Sequence, residues 1–98
     1  MCKMVLVIRI KGTITQIDKF YLYAIIKFGR LAVTKPILSF EKQMYLGEEA
    51  DHIYGILMIS PEEKDYTNLK EFYKNIKKNH INVIATLLRY MGNTIEMT

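Results

Sequence analysis

The run MVLVIRI at positions 4–10 is apolar on both faces that a strand would present, with Arg9 the single exception, and it stops at Lys11-Gly12. Seven residues are too few for a stable helix and far below the roughly 20 that span a bilayer. Val5, Val7, Ile8 and Ile10 are β-branched, so the run reads as a central strand with neighbours on either side. HIYGILMIS at 52–60 is a second run of the same kind. Any fold available to this chain must therefore place two strands in the interior of a sheet and find cover for both of their faces.

After Gly12 the period changes. Ile17, Phe20, Tyr21, Ala24, Ile25 and Phe28 fall at i, i+3, i+4, i+7, i+8 and i+11, which predicts a helix over 16–28. Thr15 is placed to cap it with Asp18 three residues on, and Gly29 to end it. Residues 20–26 also suit a strand by composition, but strand alternation would leave both of its faces equally apolar.

Beyond Pro36, ILSFEKQMYL at 37–46 sets Leu38, Phe40, Met44 and Leu46 against Ser39, Glu41 and Gln43, a half-buried strand in which Lys42 is out of pattern. The polar stretch 47–51 reads as a hairpin loop into the second apolar run, making the two strands antiparallel. Ser60-Pro61-Glu62-Glu63 signals a helix starting there or one turn later at Thr67. Leu69, Phe72, Tyr73 and Ile76 form its apolar stripe, opposite Lys70, Lys74, Lys77 and Lys78, and it ends at Asn79 or His80. INVIATLLRY at 81–90 reads as a strand, with a third helix as the competing assignment, and Gly92-Asn93 turns into a short strand over 94–97.

The element order is β, α, β, β, α, β. It predicts an α+β ferredoxin-like two-layer sandwich, an antiparallel sheet with two helices on one face. With 98 residues, 1–98 reads as a single domain. Cys2 is the only cysteine, which excludes an internal disulfide and fits a reducing, cytoplasmic setting. No segment reads as a signal-peptide core or a membrane span.

Chemistry-bearing patterns are sparse. His52 and His80 lack metal-ligand spacing, Ser39 and Ser60 lack a nucleophile-elbow context, and the five glycines are scattered singly. Hence no catalytic residue, metal site or cofactor is assigned. Glu48, Glu49 and Asp18 read as solvated or helix-start acids rather than general bases. The net charge of +4 is carried by the first half, where residues 1–49 hold eight basic and four acidic side chains. Lys19 and Lys27 share the outer side of the first helix with Tyr23, and Arg30 and Lys35 follow shortly after. These four are the candidate nucleic-acid contacts, against ordinary solvation of a charged face. Seven tyrosines and no tryptophan leave interface and packing roles both open.

The segments KFGRLAVTKPILSF, YGILMIS and NLKEFYKNIKKNHINVIA together resemble the ACT domains and the related NIL domains over about residues 5–85. That resemblance implies a regulatory module that binds a small ligand such as an amino acid at a boundary between subunits. FGRL and HIYGILMI also resemble the RNA-recognition motif, which implies nucleic-acid binding with Tyr54 at a stacking position. Leu6 and Ile56 would occupy the other stacking positions, and aliphatic side chains lack the π-face that base stacking uses.

The apolar surplus carries the functional expectation. Helices on one face leave the other to water, and strands there should alternate, yet Val5 and Val7 point away from the helices together with Tyr54, Ile56 and Met58, if Ile53, Leu57 and Ile59 turn inward. Those five residues are the candidate interface. The expected function is a non-enzymatic regulatory or protein-interaction module acting as a homodimer, with a nucleic-acid-binding domain as the alternative.

Overall fold

The computed structural model describes residues 2–45, 48–79, 82–91 and 94–97, with the side chains of 2, 40–52, 79 and 94 left aside. It is an α+β structure in which two helices lie against a five-stranded antiparallel sheet. The strands are β1 (Cys2–Gly12), β2 (Ile37–Tyr45), β3 (Glu48–Ile59), β4 (Val83–Met91) and β5 (Thr94–Met97). The helices are α1 (Ile14–Phe28) and α2 (Tyr66–Asn79). Strand order across the sheet is β2-β3-β1-β4-β5, so the most apolar strand lies in the middle and β3 is flanked on both sides.

Even-numbered residues of β1 make the core. Leu6 and Ile8 are fully buried and Met4 and Ile10 nearly so, packed with Leu57 and Ile59 of β3, Ala85 and Leu87 of β4, Ile17, Ala24 and Phe28 of α1, and Leu69, Phe72 and Ile76 of α2. The apolar stripes expected of the two helices are the faces they bury. Phe72 is their common centre: its ring meets Phe28 edge-on at 5.3 Å, Phe20 at 6.0 Å and Tyr23 nearly in parallel at 5.6 Å.

Helix α1 starts at Ile14, two residues before the expected start at Gln16. Thr13, not Thr15, closes it: Thr13 Oγ1 accepts from the Gln16 amide at 3.2 Å while Gln16 Oε1 accepts from the Thr13 amide at 3.0 Å. Glutamine has the reach to return this second bond from the third helical position, which makes the reciprocal pair possible there. Gly29 ends α1, its amide donating to the Ile25 carbonyl at 2.7 Å, with φ 91° and ψ 153°. A short 3₁₀ turn, Arg30–Ala32, leads on, and the Ala32 carbonyl accepts from the Ser60 amide at 2.7 Å.

Elsewhere one boundary differs from that read in the sequence, and two open choices are decided. The polar stretch 48–51 belongs to β3 rather than to a loop, pairing Glu48 with Tyr45 and Asp51 with Lys42. Backbone ladders need no apolar side chain, so pairing runs on past the point where the hydrophobic pattern ends. Of the two expected starts for the second helix, Ser60-Pro61 does not open it: Pro61 is buried, a 3₁₀ turn (Glu63–Asp65) follows, and α2 begins at Tyr66, one residue before the alternative start at Thr67. Residues 83–91 form a strand, which excludes a third helix there, while His80 and Ile81 lie outside the described residues.

Candidate interaction surface

Strand register decides what the sheet presents away from the helices. In an antiparallel pair, directly opposed residues share a face. Arg9 opposes Ile56 on one side and Ile84 on the other, and Ile56 in turn opposes Ile37, a row crossing four strands. The next row joins Met58, Val7 and Thr86, and the one after joins Val5, Leu88 and Met97. Lys3, Tyr90 and Ile95 make a fourth row. Every member stands on the face opposite Leu6, Ile8 and Leu87, because side chains alternate along each strand.

This face is apolar and largely uncovered. Ile37 is 72% exposed, Ile84 66%, Ile95 59% and Met97 75%, with Met58 and Ile56 near 40%. Six large aliphatic or thioether side chains that face water together are unlike the isolated exposed apolar residues of an ordinary surface. The charges of these rows, Arg9 and Lys3, both stand on the central strand β1, Arg9 between Ile56 and Ile84. The Arg9 guanidinium lies 4.4 Å from the centre of the Tyr54 ring, a cation–π contact that keeps it close to the sheet plane.

The five residues expected to form an interface all belong to this face. Val7, Tyr54, Ile56 and Met58 are accessible to varying degrees, whereas Val5 is only 7% exposed. Ile37, Ile84, Ile95 and Met97 were not identified from the sequence. Ile84, Thr86 and Leu88 do alternate with Val83, Ala85 and Leu87, but alternation does not reveal which set faces the helices until the register with β1 is known.

The four basic residues expected to contact nucleic acid are exposed but divided among three places. Lys19 and Lys27 lie on the side of α1 turned to α2, and the Lys27 amine rests 5.7 Å from the Phe72 ring. Arg30 is in the 3₁₀ turn, where it shares a hollow with Glu62, Lys64 and Asp65, and Lys35 precedes β2. Acidic residues beside Arg30 reduce its pull on a phosphate. Among the described residues no cluster of three or more His, Cys, Asp or Glu could hold a metal ion, and no helix is long and apolar enough to cross a membrane.

No protein-family model matches the sequence, and no curated protein does. Among solved structures the chain is similar to a phage SAM lyase in its apo state, at 12% identity and a TM-score of 0.48, over 99% of this chain and 89% of that one. The complex of a phage SAM lyase with S-methyl-5'-thioadenosine aligns at 10% identity and a TM-score of 0.47, over 98% and 88%. A de novo designed protein, Foldit4, aligns at 16% identity and a TM-score of 0.40, over 93% and 99%. Likeness this distant carries no argument about activity.

Proposed function

We propose that this chain is a non-enzymatic interaction module of ferredoxin-like βαββαβ connectivity, extended by β5, that works as a homodimer through the open face of its sheet. The observation that supports this reading is the continuous apolar surface running from Ile37 across Ile56 and Val7 to Ile84, Leu88 and Met97. A second copy is the occupant that such a face fits. Its rows are apolar apart from Arg9, Thr86, Tyr90 and Lys3, so a two-fold rotation can lay apolar rows on apolar rows.

The area suits a weak, reversible dimer. Two to three inter-strand steps of about 4.8 Å at any level, and eight residue rises of about 3.3 Å from Lys3 to Lys11, give roughly 250–400 Å² per subunit before side-chain relief is added. A pair thus buries on the order of 500–800 Å² plus that relief, the size of a weak or transient interface. The regulatory role implied by the resemblance to ACT domains belongs to the same proposal: pairing is what the module contributes to a larger assembly.

Light scattering on the full chain tests it. The expected mass is twice the 11.5 kDa of one chain, and Ile56→Lys or Val7→Lys, each leaving the circular dichroism unchanged, is expected to weaken the dimer by about 100-fold or more because an unpaired ammonium would be buried. A wild-type chain that stays monomeric at about 1 mM, or lysine variants that pair as well as wild type, would refute the reading.

A further inference from the structure

On the helical side, the far end of the sheet is drawn together by one backbone bond: the Lys11 amide donates to the Asn82 carbonyl at 3.0 Å, fixing the exit of β1 against the entry to β4. Above that junction the start of α1 and the end of α2 leave a cavity of about 540 Å³. Ile10, Val83 and Ile76 form its apolar floor, and the rings of Phe20, Tyr23 and Phe72 form its wall. Lys11 and Lys19 stand at its mouth, both exposed, and among the described residues no Asp or Glu lines it. Among the described residues neither amine has an ion-pair partner. Gln16 also borders the cavity, but its side-chain oxygen already accepts from the Thr13 amide.

From this arrangement we infer that the cavity is a binding site for a small planar aromatic ring carrying one anionic group, a carboxylate or a phosphate. The volume falls in the range of small-molecule sites, which combine apolar walls with a few polar groups that fix orientation. An aromatic wall favours a flat ring, since offset and edge-on ring contacts add to simple area burial. Two unpaired cations and no acid at the mouth select the charge sign of the substituent, and the position of the lysines places that group at the opening, where it remains partly hydrated. The site lies within one subunit, on the face away from the open sheet, so it stands or falls independently of dimerisation.

Titration of the ¹⁵N-labelled full chain with indole-3-acetate, its neutral amide, and phenyl phosphate decides the matter. Indole-3-acetate is expected to move the amides of Lys11, Phe20, Asn82 and Val83 and to bind about five-fold more tightly than indole-3-acetamide, the contribution of two solvent-exposed cations. The double variant Lys11→Gln, Lys19→Gln is expected to abolish that preference while leaving the amide's affinity within about two-fold. A stronger response to phenyl phosphate identifies phosphate as the preferred anion, and a weaker one identifies carboxylate. Absence of shifts at about 10 mM ligand, shifts confined to Val7 and Ile56, or equal affinity for acid and amide would overturn the assignment. Displacement of the probe by a single-stranded oligonucleotide, with tighter binding than any small probe, would also overturn it in favour of a nucleobase pocket.

Discussion

At Gly55 a side chain of α1 packs directly onto the sheet, and adding one methyl group there tests the packing of α1 on β3. Gly55 is buried on β3, opposed by Ile10 and Leu38, beneath an Ile17 side chain with no exposed surface. A Cβ at position 55 would stand 2.7 Å from Ile17 Cγ2 and 3.2 Å from Cδ1. Cδ1 can move by rotation about χ2, but Cγ2 is fixed by χ1, and a β-branched residue in a helix has essentially one χ1 rotamer. The helix must therefore lift by several tenths of an ångström. Overpacking of this kind costs about 1–3 kcal/mol, while alanine regains about 0.5–1 kcal/mol over glycine within a strand. Gly55→Ala is thus expected to destabilise by about 1–2 kcal/mol, lowering Tm by roughly 4–8 °C for each of them. Urea denaturation followed by circular dichroism should show the midpoint fall with an unchanged slope. Ile17→Ala alone is expected to cost about 2–5 kcal/mol, but the double variant should recover about 1 kcal/mol or more relative to the sum, since the new methyl enters the space Ile17 vacates. A Gly55→Ala chain as stable as wild type, or additive effects in the cycle, would refute the claim that α1 rests on this glycine.

Two further predictions concern the ends of α1. Gly29 adopts φ 91° and ψ 153°, a region open essentially to glycine alone, and nothing lies within 4 Å of an added Cβ. Gly29→Ala should therefore cost about 1–3 kcal/mol by backbone strain only, and Gly29→Asn should recover little of it because this is not the left-handed helical region; thermal denaturation of both variants checks this. Thr13→Ala removes one bond of the reciprocal cap and should cost about 1 kcal/mol, whereas Thr15→Ala should change stability by less than about 0.5 kcal/mol, an ordering that urea midpoints verify.

What the sequence determined by itself was the set of elements. The 3.6-residue period of Ile17 to Phe28 and of Leu69 to Ile76 specified both helices and the faces they bury, because an amphipathic helix has one way to hide its stripe. The doubly apolar runs around Leu6 and Leu57 specified interior strands for the same reason. Where local chemistry offered near-equivalent choices, the pattern pointed to the wrong one: Thr13 precedes α1 and Thr15 lies in its first turn, and only the geometry of Gln16 selects Thr13. Ser60 and Pro61 carry a helix-start pattern, yet the bond from Ser60 to the Ala32 carbonyl commits that backbone to a tertiary contact instead.

The tertiary structure alone decided register, and with it both candidate sites. Ile37, Arg9 and Ile84 are scattered along the chain, and only pairing through Ile56 brings them into one row of the open face. The cavity residues Lys11, Lys19, Phe72 and Val83 come from four elements whose meeting depends on how α1 and α2 seat above the junction of β1 and β4. Period is a property of a segment and is written in its residues. A shared face or a cavity depends on the relative placement of segments, which is settled only when side chains such as Ile17 and Phe72 interlock in the core.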